Sequence, residues 1–105
     1  MKNKININDD DLVKELLPGE KAIAALFIST DQNVTYSIAC KNTTTFVKVE
    51  EKLYEEYPQY KETNNYFLHN GNLIKRFKTM EENNINNTSI IMLNIYELKI
   101  DENKK

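Results

Sequence analysis

Between Ala22 and Cys40 the apolar residues alternate along the chain, and from Phe46 to Tyr57 they recur at helical spacing. Two alternating runs followed by one amphipathic helix must bury a sheet face under that helix. In the first run Ala24, Leu26 and Ile28 are expected on one strand face, with Ala25, Phe27 and Ser29 on the other. Thr30-Asp31-Gln32-Asn33 is a turn cluster, after which Val34, Tyr36, Ile38 and Cys40 alternate with Thr35, Ser37 and Ala39. The two runs therefore predict an antiparallel hairpin. Thr45 offers an N-cap to a helix whose stripe is Phe46, Val49 and Leu53, extended by Tyr54 and Tyr57. Pro58 ends it, because the residue before a proline is pushed out of the helical region.

Downstream, a polar crossing from Gln59 to Asn65 leads to Tyr66-Phe67-Leu68-His69, then Asn70-Gly71, then Leu73-Ile74. Asn-Gly between short apolar runs signals a second hairpin with positive φ at Gly71. Thr79 and Glu82 have capping-box spacing for a single helical turn. The last strand is read over Ser89 to Ile95, with Ile91, Leu93 and Ile95 on one face. Upstream, Asp9-Asp10-Asp11 supplies the cap of a short helix stopped by Pro18-Gly19. So short a helix does not persist alone in water, and a loosely docked leader is expected. The chain divides into a leader (1–21), one domain (22–98) and a charged tail (99–105), whose composition favours no fold.

Several function classes lack the residues they need. One cysteine, Cys40, and one histidine, His69, leave neither a disulfide nor a Cys/His zinc cluster to build. No nucleophile motif, phosphate-cradling glycine loop or calcium-loop pattern occurs, so no catalytic, cofactor or metal site is assigned and no enzyme activity is expected. Cys40 reads as a small core residue and His69 as a surface one. A formal charge of -2 argues against a nucleic-acid partner, and no apolar run approaches the ~18 residues of a membrane span. The polar start carries no signal-peptide core, so an intracellular, cytoplasmic location is expected, with the nucleus also open to it.

The order strand, strand, helix, short strand, helical turn, strand resembles the ubiquitin-like family over about residues 23–95. The steps Ile28 to Tyr36, Cys40 to Phe46, Phe46-Val49-Leu53, Gly71 to Met80 and Met80 to Ile85 equal those between core positions of ubiquitin. The resemblance implies an α+β, β-grasp fold: a mixed sheet of four to five strands covered by one long helix, here with a short N-terminal helix added. Leu26, Ile28, Tyr36, Ile38, Cys40, Phe67, Ile91 and Leu93 are then expected under the helix, with Met80 and Ile85 closing the open end. It also places Glu50 where the family has a largely buried lysine and Arg76 where that lysine has its acidic partner, which predicts a charge-exchanged pair.

For function, the resemblance implies either conjugation or docking. Conjugated members end in Gly-Gly, which threads the activating enzyme's channel, whereas the matching positions here are Lys99 and Ile100. The expected function is therefore non-covalent docking to another protein, by a chain monomeric on its own. The alternatives are a modifier and a structural component docked through the Asp9–Leu17 helix. The family's apolar patch on the exposed sheet face maps onto Leu68, Met92, Asn94 and Asp31. Leu68 and Met92 are the expected contacts, supported by Phe27, Tyr66, His69 and Ile90.

Overall fold

The structure is a computed structural model that describes residues 12–13 and 15–96. The tail 99–105, and Asp9–Asp11 and Lys14 of the expected N-terminal helix, lie outside the described residues. Of that helix, Leu12 packs half-buried against the core, whereas Leu16 and Leu17 are exposed.

Strands β1 (Ala22–Ser29), β2 (Thr35–Lys41), β3 (Asn65–His69), β4 (Asn72–Leu73) and β5 (Ile90–Ile95) form one sheet in the order β2-β1-β5-β3-β4. The β1–β5 pairing is parallel and the others are antiparallel, so the sheet is mixed. Helix α1 (Phe46–Glu56) covers one face; its eleven residues bury Phe46, Val49, Glu50 and Leu53. It stops one residue before the expected Tyr57, which leaves helical geometry at φ -129 and sets its ring 5.6 Å from that of Tyr36. Thr45 occupies the N-cap position but makes no side-chain cap. The segment after β4 replaces it: Phe46 N–H donates to the Lys78 carbonyl and Val47 N–H to that of Arg76, both at 2.9 Å. A tertiary contact thus satisfies donors that a helix start leaves open.

The core follows the expected layout except in β1. Phe46, Val49, Leu53, Phe67, Ile91 and Leu93 are buried, and Met80 and Ile85 close the end beneath them. Burial pushes the Cys40 thiol up to about 12, as befits a core residue. In β1, however, the inward residues are Ile23, Ala25 and Phe27, and Leu26 and Ile28 lie on the outer face. Phe27, expected outward, has no exposed surface, and its ring meets Phe67 edge-on at 5.9 Å and Phe46 at 6.0 Å.

The cause is the turn. Phe27, not Ile28, pairs with Tyr36, so the connection is one residue longer than expected. Gln32 takes a left-handed conformation at φ 67, and Ser29 Oγ accepts the amides of Asn33 at 3.1 Å and Val34 at 2.9 Å. Because side chains alternate along a strand, one added turn residue exchanges its two faces.

Two other expectations are met by the local chemistry, and one is not. Asn70 and Gly71 both have positive φ and join β3 to β4. Thr79 and Glu82 exchange reciprocal 2.9 Å hydrogen bonds ahead of the 3-10 turn Glu81–Asn83. His69, expected at the surface, is buried, because it shares the inward face of β3 with Phe67.

Candidate interaction surface

The sheet face away from α1 is assembled by register. Ile28 pairs with Met92, Met92 with Leu68, and Leu68 with Leu73, so one apolar row crosses β1, β5, β3 and β4. Paired residues stand side by side on one sheet face. Beside this row Leu26 pairs with Ile90, and Tyr66 pairs with Asn94. Leu26, Ile28, Tyr66, Leu68 and Met92 are half-buried, and Ile90 is exposed.

Leu68, Met92, Tyr66 and Ile90 are thus brought to one surface. Phe27 and His69 are not, since both point inward. Leu26, Ile28 and Leu73 were missed there. Leu73 was legible, because a two-residue Asn-Gly turn sets it opposite Leu68. The other two depended on the β1 register.

Asp31 does not contribute an apolar contact. Its carboxylate accepts the Tyr60 hydroxyl at 2.7 Å, the Ser29 hydroxyl at 2.5 Å and the Asn33 amide at 3.1 Å. The hydrogen bond from Ser29, then that from Tyr60, holds it below the usual aspartate range. Tyr60 lies in a 3-10 helix, Pro58–Glu62, where the sequence reading had only a polar crossing. A lone tyrosine among polar residues was the available signal.

The helix side of the sheet carries a polar network instead. Arg76 grips Glu50 in a two-pronged contact, Nε to Oε1 at 2.6 Å and Nη2 to Oε2 at 2.8 Å. Nη2 also donates to the Asn65 carbonyl at 2.9 Å. The Tyr54 hydroxyl donates to Glu50 Oε2 at 2.6 Å and accepts from Asn65 Nδ2 at 2.8 Å. Burial, reinforced by Glu50, pushes the Tyr54 hydroxyl up to about 12, and the hydrogen bond to Glu50 raises Arg76. The charge-exchanged pair is therefore present, and it ties α1 to the segment after β4. Its groups are committed to one another, which suits a structural clamp more than proton transfer.

Among the described residues no group of three or more His, Cys, Asp or Glu could hold a metal ion, and no helix is long and apolar enough to cross a membrane.

No protein-family model matches the chain, and no curated protein matches it. Solved structures do. A designed protein based on ubiquitin superposes with a TM-score of 0.64 at 23% identity, covering 77% of this chain and 94% of that one. The UBL domain of Plasmodium falciparum Dsk2 gives 0.62 at 13% identity, covering 72% of this chain and all of that one. Strand order, mixed pairing, the α1 lid and both likenesses agree that this chain has the ubiquitin-like β-grasp fold.

Proposed function

We propose that this ubiquitin-like domain is a non-covalent docking module that receives another protein on the outer face of its sheet. The observation that carries the reading is the unbroken row Ile28–Met92–Leu68–Leu73, flanked by Leu26 and Ile90. A row across four adjacent strands is rigid before a partner arrives, so little ordering opposes its burial. Its modest area suits a weak, transient partner. The resemblance sets Lys99 and Ile100 where conjugated members of the family carry glycine, which supports docking over conjugation. The packing of Leu12 against the core favours the sheet face over the leader as the contact.

The test is a crosslinking pull-down comparing wild type with Leu68→Ala/Met92→Ala and with an α1 surface control, Glu51→Ala. Loss of the same captured species in the patch variant alone is expected. Equal capture by all three defeats the reading. Incubation with ATP and conjugating enzymes is expected to yield no covalent adducts, and adducts would favour the modifier.

A further inference from the structure

A second surface lies at the sheet edge. A groove of about 490 Å³ runs between β3, β4, the segment 75–78 and Tyr96. That is within the roughly 300–1,000 Å³ of sites that take a small ligand or a few side chains. Three of the large apolar side chains left exposed line it: Leu73 at 58%, Phe77 at 83% and Tyr96 at 56%. Single exposed apolar residues need no explanation, but three around one hollow do.

Phe77 is not exposed through looseness. The carbonyls on either side of it, of Arg76 and Lys78, accept the first amides of α1, and Lys78 N–H returns to the Lys75 carbonyl at 3.2 Å. The Arg76 side chain is clamped on Glu50 and the Asn65 carbonyl. The backbone thus holds the phenyl ring out, and Tyr96 is braced by the Tyr66 ring at 4.7 Å.

The charged residues that line the groove are of one sign. Lys75, Arg76 and Lys78 line it and no acid does, although the whole chain carries -2. Glu50 answers Arg76 and Glu82 lies within electrostatic reach of Lys78, but among the described residues neither Lys75 nor Lys78 forms a direct ion pair. A cationic rim around an apolar hollow selects an anionic ligand with an apolar anchor. We infer that this groove docks an acidic peptide segment through one aliphatic or aromatic side chain seated between Phe77, Leu73 and Tyr96. The recessed shape favours a peptide over a flat anionic membrane. The inference stands apart from the outer-face reading, with which it shares Leu73 and Tyr66 at the border.

The experiment titrates the full chain into fluorescein-labelled octapeptides, Glu-Glu-Asp-X-X-Asp-Glu-Glu, with X-X as Leu-Phe, Tyr-Leu or Ser-Ser, and follows anisotropy. Saturable binding of an anchored peptide is expected, with the Ser-Ser peptide weaker by roughly tenfold. Phe77→Ala and Lys75→Glu/Lys78→Glu are each expected to weaken it by a similar factor. These side chains are exposed, and circular dichroism checks that both variants fold. Ile28→Ala/Met92→Ala, which removes the outer row, is expected to leave the peptide affinity unchanged, so the two readings fail separately. The inference is overturned if no anchored peptide binds, if Ser-Ser binds equally, or if Phe77→Ala changes nothing. Binding that appears only after deletion of residues 97–105 overturns it in favour of the chain's own end. Sedimentation with phosphatidylserine vesicles without peptide binding overturns it in favour of a membrane, and concentration-dependent dimerisation lost in Phe77→Ala in favour of a second copy.

Discussion

Phe27 lies opposite Tyr36 in the β1–β2 ladder, and that pairing decides which half of β1 is core and which half is surface. Phe27 is wholly buried against Phe46 and Phe67, while Ile28, its neighbour, stands half-exposed on the outer row. Truncation of the two should therefore differ sharply. Phe27→Ala is expected to cost about 3–5 kcal/mol, the usual range for emptying an aromatic site in a core. Ile28→Ala is expected to cost under about 1 kcal/mol. Urea unfolding of both variants checks the register directly, and equal losses would refute it.

Removing Arg76 strands a buried carboxylate. Glu50 is 5% exposed, and besides Arg76 its carboxylate accepts a side-chain hydrogen bond from the Tyr54 hydroxyl. Arg76→Ala should destabilise by about 3 kcal/mol, at the lower end for a broken buried pair because the guanidinium is itself partly solvated. Glu50→Leu/Arg76→Leu should lose less than the sum of Glu50→Leu and Arg76→Leu made singly, since neither partner is then left alone. Chemical denaturation of the four proteins closes the cycle.

Tyr54 makes stability sensitive to alkali. Its folded pKa is pushed up to about 12 by burial and by Glu50, above an unfolded value near 10. The hydroxyl must stay protonated to donate to Glu50, so its contribution is complete below pH ~10 and disappears as pH rises toward 12. Tyr54→Phe should lose about 1 kcal/mol at neutral pH and show a flatter decline between pH ~10 and 12 than wild type. Thermal melts across that window measure the difference.

Asp31 works in the opposite direction. The Ser29 and Tyr60 hydroxyls favour its ionised form and hold its pKa below the usual range. Its contribution is present above the unfolded value near 3.9 and is lost as pH falls through the lower folded value. Asp31→Asn should flatten the acid limb of the stability profile below pH ~4. An acid titration followed by far-ultraviolet circular dichroism would show it, and an unchanged slope would contradict the Tyr60–Asp31 contact as a stabilising one.

Much of this arrangement could be read from the residues. The Asn70-Gly71 turn, the Thr79–Glu82 box and the Phe46–Leu53 stripe are local, and each is specified by neighbours a few positions away. The Glu50–Arg76 pair and the Leu68–Met92 contact were legible only through the family resemblance, which carried their spacing. His69 was misplaced because its residue type suits a surface, although alternation with Phe67, expected under the helix, sets it inward. Thr45 was read as a cap because its residue type suits that role, but carbonyls from residues 76 and 78 occupy the donors first.

By itself, the sequence determined the strands, the helix and the hairpin turns, though not the 3-10 helix Pro58–Glu62, because period and turn chemistry act over short distances. It could not determine the facing of β1, since Ile23, Ala25 and Phe27 are as apolar a set as Ala24, Leu26 and Ile28. Only the tertiary structure decided that, through a turn one residue longer and the packing of the Phe27 ring against those of Phe46 and Phe67. Beyond the local Leu68–Leu73 pair, the outer row and the groove at Phe77 are likewise products of contacts between distant segments, which no local pattern encodes.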